Sequence, residues 1–511
     1  MTQHSLFCSA MVVLLLGVIY TPRSLAQAPA PDAPCPKLPG NPASWTDQEH
    51  WAWSAICGGH NADLLGKYGG SPSPADSQHW PAQRDLSQRF LETILTNDAY
   101  RSRIPLRGIF IVGARFPDEF NLAHVKLDRD LWLLSSQFNA LNLVGADFSG
   151  HLDFKGSSVT KRVNMDSLHA DALSMEGVHF PDLWLATAKI ANLIRLNDSV
   201  VAGQIQMMNM EVGNDVQMLN SSLNEVILRS VKIGGTLTIA GPKHRGGPPC
   251  VTQGAPRSGS PLSVNLTQAT IGTLNLGGVC YGPVNAADNW GTGASLILTN
   301  ASVRTLQDGL CRDNESECAD VTWPDHLELN GFNVQQLQGF DDGKETDMAD
   351  RPASWWIHWL NKQANYSPLP YESIAASLSN LGHKDTATDI LYAGKTRELL
   401  EATPSWTDKV RLYLLRLLIG FGYRIYYAFW WALALVIAGA LVLRLSGEGK
   451  RLNMPYGIAY SIDMALPIIH LREAHYEIDL NGYARYYFYF HKTMGFVLAS
   501  FLIAGLAGLT K

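Results

Sequence analysis

The stretch "DLWLLSSQFNALNLVGADFSGHLDFKG" (Asp130–Gly156) carries the pattern that decides how most of this chain folds. It opens with the pair Leu131 and Leu133, in which two apolar residues flank a single residue. Two similar pairs follow at steps of 10 and 11 residues. Side chains of a strand alternate between its two faces, so such pairs predict short strands with one buried face.

The same step continues in both directions from this stretch, and small residues follow many of the pairs. A period this short is incompatible with helical repeats and predicts a mostly β fold. We expect a parallel β-helix solenoid over residues 106–340, in which two steps make one coil of about 21 residues. The inward positions are Phe120/Leu122, Leu131/Leu133, Leu141/Leu143, Leu152/Phe154, Val163/Met165, Leu173/Met175, Leu183/Leu185, Ile194/Leu196, Ile205/Met207, Val216/Met218, Val226/Leu228 and Leu237/Ile239.

Composition argues against a nucleic-acid partner. The chain has 511 residues, a formal net charge of -6 and 17% charged residues, below the roughly 25% of an average soluble domain. No basic excess is present to neutralise phosphates.

The first residues predict a secretory signal peptide over residues 1–28. Met11–Tyr20 is an apolar core of suitable length, and Ala26–Ala28 reads as an A-x-A cleavage site. The signal predicts that the bulk of the chain lies outside the cytoplasm.

Six cysteines follow the signal, an even number that suits an exported chain with disulfides. Short loops favour Cys35–Cys57, Cys250–Cys280 and Cys311–Cys318, although six cysteines allow 15 pairings. Two of these pairs would constrain insertions that interrupt the repeat, at residues 241–261 and 308–324.

Two uncharged apolar runs near the end of the chain, Ile425–Leu443 and Thr493–Thr510, are long enough to cross a bilayer. Val410–Tyr423 precedes them as a short apolar helix expected to lie along the interface. We therefore divide the chain into a signal peptide (1–28), a linker and helical cap (29–105), the solenoid (106–340), a helical hairpin and juxtamembrane helix (341–424), a first transmembrane helix (425–445), an inter-span loop (446–486) and a second transmembrane helix (487–510).

The inter-span loop contains "GIAYSIDMALPIIHLRE" (Gly457–Glu473), which is too short to span the bilayer. Its apolar residues recur at helical spacing, and a proline ends or kinks the helix. We expect an interfacial or re-entrant helix on the cytoplasmic side. Charged groups in such segments are functional candidates, because burying them without a partner is costly. The candidate residues are Tyr460, Ser461, Asp463, Pro467 and His470.

Four segments, at residues 366–399, 420–443, 460–471 and 495–509, together with the 10- to 11-residue steps, resemble a family of uncharacterised bacterial membrane proteins. These proteins combine a pentapeptide-repeat-like β-helix with a two-span C-terminus and are often labelled "membrane-associated oxidoreductase". The resemblance implies the architecture and no established activity. Together with the signal peptide, this resemblance predicts a place in the bacterial inner membrane, with the bulk of the chain in the periplasm.

The sequence contains none of the motifs that a cofactor or hydrolytic enzyme would need. G-x-G-x-x-G after a strand, C-x-x-C, a phosphate-binding loop, H-E-x-x-H and G-x-S-x-G are all absent. We therefore expect no enzymatic activity, no cofactor and no metal site.

Two functions fit these features. The first is a membrane-anchored binding or scaffold protein with a protein partner on the solenoid surface, where Trp132 and Trp184 are expected to point outward. The second is an oligomeric, channel-like protein that uses residues 457–471 and needs several copies, since two spans cannot enclose a pore. The lipid bilayer is a partner in both functions. The channel requires a homo-oligomer, whereas the scaffold leaves open whether the protein forms one.

Overall fold

The computed structural model describes residues 44–219, 221–240, 261–276, 293–308, 323–341, 344–402, 405–454, 457–466 and 471–506. Within these ranges, most strands belong to two large sheets whose neighbouring strands run parallel. Only the last pair of the first sheet is antiparallel.

Each sheet is built from short strands contributed in turn along the chain. The first sheet contains Ala62–Asp63, Ile109–Val112, Lys126–Leu127, Leu131–Leu134, Asp147–Asp153, His169–Ser174, Lys189–Ile190, Ile194–Arg195, Glu211–Val212, Val216–Leu219, Lys232–Ala240, Thr270–Asn275, Ser302–Gln307, Asn333–Asp341 and Lys344–Asp347. The second contains Arg115–Asn121, Gln137–Asn142, Ser158–Val159, Val163–Asn164, His179–Phe180, Leu183–Trp184, Val200–Val201, Gln204–Gln206, Glu225–Ile227, Ser263–Asn265, Ser295–Ile297 and His326–Glu328.

The strand register follows the apolar steps of the sequence. In the first sheet Leu131 lies beside Leu152, which lies beside Leu173. In the second sheet Leu141 lies beside Val163. Consecutive steps therefore enter alternate sheets, and partners are about 21 residues apart. All the inward positions predicted between Phe120 and Ile239 are buried, which confirms a parallel, two-sheet core.

Sharp turns follow the inward pairs, which explains the small and polar residues found there. Gly145, Gly156 and Gly177 adopt φ values of 63°, 67° and 65°, and Asn209 adopts 55°. Glycine and asparagine tolerate this left-handed backbone better than other residues do.

Four N-terminal helices cover the start of the strand region: α1 (Asp47–Cys57), α2 (Leu64–Tyr68), α3 (Gln88–Thr96) and α4 (Asp98–Arg101). Buried Glu49 joins two of them, since it accepts from the backbone N–H of Thr46 at 2.8 Å and from Ser87 Oγ at 2.6 Å. Thr46 and Ser87 are the N-caps of α1 and α3. One carboxylate thus fixes the starts of both helices.

Arg84 ties this cap to the sheets. Its fully buried guanidinium donates from Nε to the carbonyl of Gly113 at 2.6 Å, and it stacks on the ring of Trp80. Burial, with the nearby charge of Arg115, lowers the pKa of Arg84 to about 10.

Three helices close the other end of the strand region: α5 (Ala353–Asn361), α6 (Pro368–Asn380) and α7 (Lys384–Arg397). On α6, Ser373 and Ser377 donate to the carbonyls of Phe332 and Val334 at 2.6 and 2.5 Å. These contacts cover the start of the strand Asn333–Asp341, whose free polar groups would otherwise invite pairing with another chain. The apolar core is continuous from the N-terminal cap through the sheets to α7.

The remaining helices have separate, smaller apolar clusters and expose much apolar surface. They are α8 (Trp406–Ile419), α9 (Tyr426–Leu445), α10 (Glu448–Arg451), α11 (Ile458–Ala465) and α12 (Gly482–Leu506). Short 3₁₀ helices span Pro74–His79, Ala82–Arg84, Met348–Asp350, Gly420–Gly422 and Glu473–His475, and Glu398–Ala402 forms a short π-helix.

By length and composition, α9 is the one helix in the described residues that could cross a membrane. Its mean hydropathy is 2.1, and only 17% of its apolar window is buried. The second span, predicted at 487–510, falls in α12, which begins earlier and carries His491 and Lys492 before its apolar run. Residues 507–511 lie outside the described ranges, so this second span stays a prediction.

Candidate functional site

Asp463, the strongest candidate in the sequence, lies fully buried on α11. Its Oδ1 accepts from the backbone N–H of Leu471 at 2.9 Å, and its Oδ2 accepts from that of Arg472 at 3.2 Å. The Nδ1 atom of His475 lies 2.9 Å from Oδ2. The hydroxyl of Tyr476 donates to the backbone carbonyl of Asp463 at 3.0 Å. The carboxylate therefore holds the chain that follows α11 back against the helix.

These contacts also set the charge state of the carboxyl group. Burial alone would raise the pKa of Asp463, but the two backbone donors and His475 outweigh it and lower the pKa. Asp463 is therefore an anion whose acceptor sites are used by its own loop. Such an arrangement is suited to fixing a loop and leaves little capacity for a passing ion.

Ser461, on the same helix as Asp463, joins α11 to α9 and α12. Ser461 Oγ donates to the carbonyl of Val436 on α9 at 2.8 Å, and Nε2 of His491 on α12 lies 3.0 Å from the carbonyl of Ser461. A side chain at Gly439 would place its Cβ 2.1 Å from Ser461 Oγ. The three helices thus meet at one buried polar point.

Tyr460 is buried against the rings of His475 and Phe488. Burial first, and then the nearby Tyr476 and Asp463, raise its pKa to about 12. Its hydroxyl therefore stays protonated at physiological pH.

The structure brings Tyr460, Ser461 and Asp463 together on one short helix, whereas Pro467 and His470 lie outside the described residues. Sequence reasoning missed His475 and His491, because neither lies within the quoted segment and the aspartate–histidine spacing of twelve residues matches no motif.

Of the six predicted disulfide cysteines, Cys57 ends α1 and packs against the core. Cys35, Cys250, Cys280, Cys311 and Cys318 lie outside the described residues, so the pairings remain predictions.

A second candidate site lies on the outer surface of the first sheet. His169, Lys189, Glu211 and Lys232 occupy matching positions on neighbouring strands. Each of these four side chains is exposed, and Lys232 Nζ contacts Glu211 Oε1 at 2.9 Å. Asp147 precedes them in the same register. We call this row the charged groove.

The groove has a volume of about 720 Å³ and a floor of small residues that includes Ala191, Gly213 and Gly234. A Cβ at Gly213 would lie 1.9 Å from the carbonyl oxygen of Ala191. Successive strands approach so closely here that glycine is required. The result is a shallow trough with charges of both signs.

The two tryptophans predicted to point outward are each half-buried beneath a neighbour. Trp132 stacks on Phe110 with ring centroids 5.0 Å apart, and Arg162 lies over the ring of Trp184 at 5.2 Å. Each ring is therefore partly covered and is not a free contact surface.

In the described residues, no group of three or more His, Cys, Asp or Glu side chains is arranged to hold a metal ion. Comparison of the chain with protein-family models, curated proteins and solved structures finds no match in any of the three.

Proposed function

We propose that this protein is a membrane-anchored scaffold whose two sheets form the faces of a parallel β-solenoid in the bacterial periplasm. The register of about 21 residues per coil supports the solenoid, because each pair of apolar steps then closes one turn. The exposed apolar surface of α9 supports the anchor. The signal peptide predicted over residues 1–28 supports export of the region before α8.

The observation that carries the proposal is the charged groove. It presents cations and anions in a fixed order on strands that cannot shift without breaking the core register. Alternating charge suits a polypeptide with complementary charges better than a uniformly charged polymer. We therefore infer a protein partner that lies along the groove.

A channel has less support. It would need a carboxylate in residues 457–471 that is free to meet ions, but the oxygens of Asp463 accept from Leu471, Arg472 and His475. No other observation on the described residues favours a pore.

Site-specific photo-crosslinking in cells tests the scaffold proposal. A photoreactive residue at position 189 in the groove is expected to yield an adduct of defined mass. A matched residue at position 225, exposed on the second sheet, should yield none. Equal labelling at both positions, or labelling only of a second copy of this chain, would contradict a partner specific to the groove.

A further inference from the structure

A pocket of about 680 Å³ lies where the helices that close the C-terminal end of the strand region meet the apolar helices that follow them. α5 and α7 form two of its walls, and α8 and the residues just before α9 complete it. Three arginines line it: Arg397, Arg416 and Arg424. Such a concentration of guanidinium groups in one concave site points to an anionic ligand.

Two of the three arginines are neutralised by carboxylates of the pocket. Arg424 Nη2 lies 3.2 Å from Asp389 Oδ1, and Arg397 Nε lies 2.9 Å from Glu401 Oε2. Each of these two ion pairs is therefore neutral overall. They also hold both guanidinium groups at the wall of the pocket.

Arg416 is the surplus cation. Its Nε donates to the hydroxyl of Tyr392 at 3.4 Å, and no carboxylate of the described residues lies within 4 Å of it. It is half-buried, so part of its hydration is already lost. The guanidinium carbon of Arg424 lies 4.2 Å from the ring centre of the same residue, Tyr392. The pocket thus carries one net positive charge beside a second guanidinium.

The surface next to the pocket shows where the ligand comes from. One face of α8 exposes five apolar side chains. Their spacings of four, three, one and three residues place them on the same side of the helix. They are Trp406, Val410, Tyr413, Leu414 and Leu417, of which Trp406 is 75% exposed. The helix is held against the apolar α9, because Trp431 Nε1 donates to the carbonyl of Leu417 at 2.8 Å.

We propose that this pocket binds the phosphate of an anionic phospholipid whose acyl chains lie along the exposed face of α8. A guanidinium group can donate two parallel hydrogen bonds to phosphate oxygens, and arginine is the residue best suited to such bidentate recognition of phosphate. The apolar face explains why the source is a lipid and not a free phosphate ion. This inference rests on the membrane attachment in the proposed function.

The test uses the full-length protein in detergent and native mass spectrometry with added phosphatidylglycerol or phosphatidylcholine. The wild type should bind phosphatidylglycerol preferentially, and Arg416→Gln should weaken that binding by about tenfold or more, as expected when a charge-assisted contact is lost. Arg411→Gln is the matched control, because Arg411 lies on α8 but is exposed and outside the pocket. It should bind like the wild type.

The outcomes separate this inference from the proposed function. Equal binding of the two lipids by the wild type, or equal losses in both variants, would overturn the lipid site while leaving membrane attachment intact. Competition by inorganic phosphate at the same concentration would overturn the lipid as the source. If the chain does not fractionate with membranes at all, the proposed function fails first. Should Arg416→Gln not fold, Arg416→Lys must still lose part of the preference, since an ammonium cannot form the two parallel bonds.

Discussion

Substituting Asp463 by asparagine is expected to release the chain that follows α11. The asparagine side chain would keep one acceptor oxygen, but it would present an amide nitrogen to the backbone donors of Leu471 or Arg472. Both N–H groups now donate to the carboxylate, at 2.9 and 3.2 Å. The variant therefore leaves at least one donor facing a donor in a buried site.

The size of the effect follows from the charged acceptor that is lost. Hydrogen bonds to a charged group contribute about 1.5–3 kcal/mol each, and a buried donor left without a partner costs about 1–3 kcal/mol. We expect local opening of residues 471–476 to become easier by about 2–4 kcal/mol, which corresponds to about 30- to 1,000-fold faster amide exchange.

Hydrogen exchange of the Leu471 and Arg472 amides in detergent, read by mass spectrometry, measures this opening. The control is Asp479→Asn, because Asp479 is exposed and pairs with Arg485 at the surface. It should change exchange less than about fivefold, since exposed pairs contribute about 0–1 kcal/mol. Unchanged exchange at Leu471 and Arg472 in Asp463→Asn would refute the reasoning.

The same site predicts a pH dependence. Because the pKa of Asp463 is lowered in the folded protein, its contribution is present above the unfolded value of about 3.9 and is lost as the pH falls through the folded value. After correction for intrinsic exchange rates, protection of residues 471 and 472 should fall below about pH 4 in the wild type. It should not change with pH in Asp463→Asn, and a fall of the same size in both proteins would assign the effect to another group.

Two further predictions concern the strand region. Asp308→Asn should lower the free energy of unfolding by about 3 kcal/mol, because breaking a buried ion pair leaves a buried charge without its partner. Asp308 is fully buried and contacts Arg351 at 2.6 Å and Trp323 at 3.1 Å. A change in denaturant midpoint equivalent to less than about 0.5 kcal/mol would contradict this prediction. Gly213→Ala should lower the free energy of unfolding by about 2 kcal/mol or more, because its Cβ would lie 1.9 Å from the Ala191 carbonyl oxygen. A thermal midpoint equal to that of the wild type would contradict this prediction and show that the strands can move apart.

The inward face of the sheets could be predicted because the signal is local. Leu131, Leu152 and Leu173 each belong to a short pair, and any window of the repeat contains the same alternation. Pairing of strands about 21 residues apart follows once two steps make a coil. The helices α3 and α9 were likewise predictable from apolar spacing and length.

The candidate sites depend on contacts that no local pattern contains. Asp463 could be singled out as a buried charge, but nothing near it indicates that His475 would approach within 2.9 Å. The charged groove left a weak signal, since Lys189, Glu211 and Lys232 are spaced by one coil. That spacing has meaning only after the register is known.

The central claim, a periplasmic strand region anchored by membrane helices, is tested most directly by reporter fusions at residue 345 and residue 455. Alkaline phosphatase is expected to be active at residue 345, where the strand region ends, and inactive at residue 455, in the predicted inter-span segment (446–486). A cytoplasmic reporter should give the opposite pattern. Alkaline phosphatase that is inactive at residue 345, with the cytoplasmic reporter active there, would contradict the account and place the strand region inside the cell.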